Sequence, residues 1–466
     1  MTLRHELLLL RRDRGVAGAV LLLAAACTLA VAIGVGWRNT QHSAQVRSLE
    51  SDTAEYAARR AAVVEYAVHP PPPLDPVLNN LHNPLSPYVV GQAGRVAHLP
   101  LPPAAALAIG QYELLPLQEL VSIRTRQRTV ADKDGLENPL QLAAGRFDLA
   151  FVVVYLLPLL ILALTYNLVA LEREEGTLGL LRCQAGSLGP LLLARALLRT
   201  ILLAGICAAA AVAGAGVSDP IRVSLFIAVL VTYALFWAGL ALWVNSREGT
   251  STANAATLAL AWVLAVAIVP AAVQLAVNSL RPVPSRLELL EVVRIQSIDA
   301  RRDAKKLVAD WYAANPQLVP AENTGPLADT ATGGTLTHIE QDRRTLPVEA
   351  KFESAVAARQ DLVSWIRFLS PAIVASEASL DSAGTSLERF RHYKVQVRLF
   401  RELWLGWFHP PIFRKLILQP ADYDRMPAFH YREFPVARSA AAAASGAAML
   451  AAGFALLALG AVRRLR

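Results

Sequence analysis

Six stretches of this chain carry no charged residue, and they decide what it can fold into. They run Gly15 to Trp37, Leu149 to Leu171, Thr200 to Ser218, Val223 to Ser246, Gly249 to Leu280 and Ser439 to Val462, with lengths of 23, 23, 19, 24, 32 and 24 residues. A helix needs about 20 apolar residues to cross the hydrocarbon core of a bilayer, so all six qualify. Within lipid a backbone must satisfy its own polar groups, which a helix does inside one segment. The expected fold is an all-α polytopic membrane protein with six transmembrane helices.

Composition agrees. Hydrophobic types make up 54% of the 466 residues and charged types 18%, against roughly 45–50% and about 25% in soluble proteins. A water-facing surface over the whole length is excluded, and so is disorder, which needs low hydrophobicity and high net charge. The net charge of +8 is spread thinly, and 39 of the 45 basic residues are arginine. No nucleic-acid partner is expected from it. Three cysteines, Cys27, Cys183 and Cys207, make no disulfide framework at this length.

Arginine placement in short segments gives the orientation. With the N-terminus inside, Arg4, Arg11, Arg12, Arg14, Arg173, Arg182, Arg195, Arg199, Arg247, Arg463, Arg464 and Arg466 all fall inside, whereas the short outer loop Asp219–Arg222 has one arginine. Both termini are therefore expected in the cytoplasm. Residues 38–148 and 281–438 become two extracytoplasmic insertions, since long loops cross largely regardless of charge. The first apolar stretch exceeds the 7–15 residues of a signal-peptide core and reads as an uncleaved span.

Within the plan, 1–14 is a cytoplasmic segment, 172–199 a cytoplasmic loop and 463–466 a tail. Arg195 and Arg199 interrupt the approach to the third span, and an arginine at mid-bilayer costs about 2.5–3.5 kcal/mol on insertion scales. Ser187 to Arg199 therefore reads as an interfacial amphipathic helix preceding a span at 200–218. In the fifth span Pro270 is expected to kink the helix.

Both insertions read as mainly helical. In the first, a helix from Gln41 to Val68 ends at His69-Pro70-Pro71-Pro72-Pro73, which favours a polyproline spacer, and Glu137-Asn138-Pro139 leads into span 2. In the second, Arg286–Ala314 reads as a helix, Asn315–Thr337 as a loop, and helices resume over Val348–Leu369, Pro371–Leu380 and Ser386 to about Gly406. Phe400, Trp404, Trp407 and Phe408 share a helix face. The core of the outer domain is the preferred reading, with a partner or lipid surface as the alternative.

Chemistry-bearing motifs are scarce. There is no Gly-x-x-x-x-Gly-Lys-Ser/Thr loop, so the chain has no P-loop for a nucleotide, and neither His-Glu-x-x-His nor Gly-x-Ser-x-Gly occurs. The six stretches hold no Asp, Glu, His, Lys or Arg, the residues that catalysis inside a membrane requires. Eight of the nine histidines lie in the insertions without ligand spacing. Neither catalysis, a metal site nor a cofactor of the chain's own is expected.

The segment after span 2 is the most informative. Glu172, Arg173, Glu174, Glu175, Gly176, Thr177 and Leu178, continuing to Leu181, suit a short helix that leaves the membrane, turns and lies along its surface. A Glu-x-Glu-x-Gly-Thr-Leu string after the second of six spans resembles the ABC-2-type exporter permeases. Arg146-Phe147-Asp148, Ser370-Pro371 and Gly384-Thr385 are similar to a branch with large insertions between spans 1 and 2 and between spans 5 and 6, which includes permeases of multicopper-enzyme maturation.

The resemblance implies a multi-pass permease of the bacterial inner membrane whose loop after span 2 docks into a separate ATPase subunit, the subunit that binds ATP. It also implies a second permease copy or a sister chain, with substrate passing between the halves. Asn167, Thr232, Asn245, Asn254 and Gln274 are then candidate pathway-lining residues, although each alone is explained by interhelix hydrogen bonding. An extracytoplasmic partner protein is a further expectation of the insertions. The alternative function is a non-transporting scaffold or sensor for such a partner.

Overall fold

The computed structural model describes residues 13–69, 83–124, 147–185, 188–216, 218–247, 249–283, 286–319 and 330–464. The prolines at 70–73, the 137–139 segment, Arg146, Ser187 and the outermost terminal arginines lie outside the described residues. Among the described residues six helices are long and apolar enough to cross a membrane, and the protein is a polytopic helical membrane protein. In chain order they are α1 (Arg14–Val68), α3 (Leu149–Glu174), α5 (Leu188–Ala215), α6 (Pro220–Asn245), α7 (Ser251–Leu280) and α14 (Val436–Arg464). Around them come α2 (Pro87–Ala93), β1 (Arg95–His98), β2 (Gln118–Val121), α4 (Leu178–Ala185), α8 (Arg286–Arg302), α9 (Ala304–Ala314), α10 (Thr330–Ile366), α11 (Pro371–Ala383), α12 (Leu387–Phe413) and α13 (Pro420–Tyr423).

Two spans run well beyond their uncharged stretches, α1 and α5. Span 1 and the expected Gln41–Val68 helix form one 55-residue helix, because Trp37-Arg38-Asn39-Thr40 contains neither proline nor glycine to stop propagation. The separate helix expected before span 3 is absent. Arg195 and Arg199 sit inside continuous α5, since arginine is a good helix former and their charges find partners described below. The Asn315–Thr337 loop is corrected in the same way, with α10 starting at Thr330 and running through Pro347 to Ile366. Thr335 and Thr337 bond back to the Ala331 and Gly333 carbonyls. A Cβ at Gly334 would lie 2.2 Å from the Tyr88 hydroxyl, so a residue that reads as a loop signal instead makes room for a ring. The expected Arg286–Ala314 helix divides at Asp303.

Two spans contain π-turns, each just before a proline. Val152–Leu156 in α3 precedes Pro158, and Val263–Ile268 in α7 precedes Pro270. Proline lacks an amide and its ring presses on the carbonyl four residues back, so the ladder widens there. The released carbonyls are taken by hydroxyls from elsewhere. Tyr233 Oη donates to the Val154 carbonyl at 3.0 Å, and Ser370 Oγ donates to the Ala265 carbonyl at 2.6 Å.

The two insertions fold as one unit. Trp37 and Val63 of α1, Tyr88, Val90, Ala97, Leu99 and Tyr112 of the first insertion, and Tyr393, Phe400, Trp404 and Phe408 of the second share one core. Phe400, Trp404 and Phe408 are buried and Trp407 packs against them, so the stripe is core as preferred. Trp404 Nε1 donates to the Gly91 carbonyl at 3.1 Å. An antiparallel pair, with Arg95 opposite Val121, adds a strand element to the mainly helical first insertion.

Two features fasten this unit to the spans. Helix α11 packs between α6 and α14 and touches both π-turns. Glu433 accepts from buried Arg389 at 2.7 Å and from Arg222, at the head of α6, at 3.3 Å.

Candidate functional site

At the opposite end of the bundle, span 2 does not end cleanly. The helix stops at Thr165, turns through Tyr166–Val169 and resumes at Ala170. A helix end leaves carbonyls without intrahelical partners, and burying them unsatisfied costs about 1–3 kcal/mol each. Here three side chains answer three carbonyls. Arg199 donates to Leu164, Asn245 Nδ2 to Thr165 at 2.9 Å, and Arg195 to Leu168 at 3.3 Å.

The resumed helix carries the loop residues singled out in the sequence. Glu172 pairs with Arg195 of α5 at 2.5 Å. Arg173 donates to the Gly249 carbonyl at 3.1 Å. Glu174 accepts from the Ser251 amide at 2.7 Å and from its hydroxyl at 3.0 Å, placing a carboxylate on the first turn of α7, where the helix dipole favours negative charge. The loop is thus bonded to span 3 and to span 5 at once.

Glu175, Gly176 and Thr177 are exposed. Gly176 has φ of 74° with nothing within 4 Å of where a Cβ would stand, so its glycine answers the backbone angle rather than a neighbour. Thr177 donates from its amide (2.8 Å) and its hydroxyl (3.2 Å) to the Glu172 carbonyl, closing the turn into α4. Leu181 is buried and Leu178 half-buried on Leu168, Val169, Leu188, Leu192 and Leu242. Opposite them α4 presents Gly179, Cys183 and Leu180, the last 67% exposed.

Of the five polar span residues, the structure brings two together. Asn254 Nδ2 donates to Asn245 Oδ1 at 3.5 Å, with both side chains buried behind the loop. Thr232 bonds its own helix at the Ala228 carbonyl, Asn167 sits half-buried in the α3 turn, and Gln274 is exposed on the C-terminal half of α7.

Sequence reasoning missed Arg195 and Ser251 as parts of this site, and held Leu180 only as one member of the Glu172–Leu181 run. Arg195 was visible as a charge inside an apolar run, but its partner lies 23 residues away and only packing joins them. Leu180 reads as one more apolar residue in α4 until its exposure is known.

Residues 286–432 match the family model for a domain of unknown function, DUF3526. The match covers α8 to α13 and stops before α14, so it describes the second insertion and not the spans. No curated protein and no solved structure matches the chain.

Proposed function

We propose that this chain is the membrane-spanning subunit of an ATP-driven exporter of the ABC-2 type, energised by a separate ATPase subunit that docks on α4 and the loop before it. The observation that supports this reading is the double anchorage of the Glu172–Leu181 element. Glu172 is tied to span 3 and Glu174 to span 5, while Leu180, Glu175 and Gly179 face outward. A force applied to that outer face reaches two spans through short polar bonds. In this reading ATP is bound and hydrolysed on the partner, both termini are cytoplasmic, the membrane is the bacterial inner membrane and a second permease copy or sister chain completes the transporter.

A second reading, a scaffold or sensor for an extracytoplasmic protein, draws support from the insertions forming one cored unit. Copurification from native membranes, with identification of bound chains, separates the two. Transport predicts an ATPase carrying a P-loop in the wild-type complex and its loss with Leu180→Asp or Glu175→Arg, both on exposed positions. A wild-type complex without an ATPase overturns the proposal, as does full retention of the ATPase in both variants.

A further inference from the structure

Beside the candidate site, the C-terminal ends of α6 and α14 bring two cations to one ring. The Arg247 guanidinium, just past α6, stands 3.7 Å from the Trp243 ring centroid. That of Arg464, in the last turn of α14, stands 5.7 Å from the same ring. Both are within cation–π reach. Among the described residues neither guanidinium pairs with a carboxylate or donates to an acceptor. The dipole at each helix C-terminus favours a cation, but here two of them share an indole with no counter-charge between them. In the sequence the two ends hold Arg247, Arg463, Arg464 and Arg466 against one carboxylate, Glu248.

Helix length sets the depth of these charges. Helix α6 has 26 residues and α14 has 29, which is about 39 and about 44 Å at about 1.5 Å per residue. A bilayer with its headgroup layers is about 40–45 Å thick, so crossing helices of this length end among the headgroups. Towards the bilayer centre the wall becomes apolar. Leu456, Gly460 and Arg464 recur every fourth residue and so share a face of α14. Leu456 is 74% exposed and lies about 12 Å along the axis from Arg464. Between them Gly460 abuts the indole, a Cβ there standing 3.7 Å from Trp243 Cδ1. The surface thus runs from charge through an indole to an aliphatic side chain, the order in which a phospholipid changes from headgroup to acyl chain.

We propose that Trp243, Arg247 and Arg464 form a binding site for an anionic phospholipid, with its phosphate between the two guanidinium groups and an acyl chain along Leu456. Arginine suits this task because its planar fork meets two phosphate oxygens at once. A zwitterionic headgroup fits less well, since its ammonium would face two cations. Juxtamembrane basic clusters draw anionic lipid for the same reason. Trp243 also packs on the cluster that buries Leu181 of α4. A lipid held here therefore braces the wall on which the candidate site rests. The inference rests on α6 and α14 crossing the bilayer and is independent of the transport reading.

The test is native mass spectrometry of the full chain released from nanodiscs of equimolar phosphatidylglycerol and phosphatidylcholine. One phosphatidylglycerol is expected to remain bound with a preference of roughly tenfold over phosphatidylcholine, the scale of two juxtamembrane arginines. Arg247→Gln combined with Arg464→Gln, both at exposed positions, is expected to bring that preference close to parity. Arg438→Gln, exposed at the other end of α14, is expected to leave it unchanged. A wild type without the preference overturns the proposal. So does an equal loss in Arg438→Gln, the mark of charge attraction over the whole surface. A preference that survives the glutamine pair also overturns it, and loss of a copurifying protein from that pair would then assign the arginines to a protein contact.

Discussion

Glu172, on the short helix after span 2, and Arg195, on span 3, meet at 2.5 Å with the arginine side chain 9% exposed and the carboxylate 22% exposed. The same guanidinium donates to the Leu168 carbonyl. One arginine therefore closes a broken helix and anchors the loop that follows it. Removing one partner of a buried pair leaves an uncompensated charge, whereas removing both is tolerated. Glu172→Ala is expected to destabilise by about 2–3 kcal/mol, below the fully buried range because the carboxylate is partly wet. Glu172→Leu combined with Arg195→Leu should recover most of that loss, as read by thermal unfolding in nanodiscs.

Tyr233→Phe removes the donor to the Val154 carbonyl that Pro158 leaves free. The cost should be about 1–3 kcal/mol, that of an orphaned buried acceptor. In a Pro158→Ala background the new amide can take that carbonyl, and Tyr233→Phe should then cost much less. A double-mutant cycle measures the difference, and strict additivity would refute the link between the proline and the hydroxyl.

Asn245 joins Thr165, Ala241 and Asn254 at the loop end of the bundle. Asn245→Leu keeps the volume but strands the Thr165 carbonyl, and about 2 kcal/mol should be lost. If the bridge also holds the α3 turn in place, protease cleavage near Glu175 will accelerate in parallel.

Glu433 serves two arginines, Arg389 at 1% exposure and Arg222 at 5%. Glu433→Gln removes the charge that both face. Because the carboxylate is 45% exposed and Arg222 also pairs with Asp219 at 3.2 Å, a loss of about 1–2 kcal/mol is expected, below the range of a fully buried pair, with unfolding of the insertions separating from that of the spans in calorimetry. A single unshifted transition would show that the junction does not depend on this carboxylate.

The insertions should weaken on mild acidification. Burial pushes the imidazoles of His338 and His409 below the ordinary 6.5, where Gln341 and Asp342 of α10, Arg401 of α12, Arg124 and Arg301 surround them. Folding then holds them neutral while the unfolded chain takes up protons, so stability is full above 6.5 and falls as pH drops below it. The fall in thermal midpoint from about pH 7.5 to about pH 5.5 that these imidazoles contribute is read as a difference, the midpoint of His338→Gln dropping less over that range than that of the wild type.

Six spans could be read from the sequence because lipid forbids charge over about 20 residues, and that constraint is local. The junction of span 1 with its extension, the helical course of Thr330–Thr337 and the π-turns could not. Each depends on a partner far along the chain, such as Tyr88 against Gly334 or Ser370 against Ala265. At the loop after span 2, Glu172, Arg173 and Glu174 stood out as a charge cluster, and Gly176 as the turn. Which carboxylate faces inward was not legible, because helical spacing does not say which neighbour supplies an arginine.

The sequence by itself determined the number of apolar helices, the place of both insertions and the absence of a P-loop from this chain. Tertiary structure alone decided that the insertions share one core, that Arg195 belongs inside a span, and that α11 lies among α6, α14 and the two π-turns. The physical reason is one of range. Exclusion of charge from hydrocarbon acts residue by residue along the chain, whereas a released carbonyl or a buried guanidinium is satisfied by whichever group packing brings within about 3 Å.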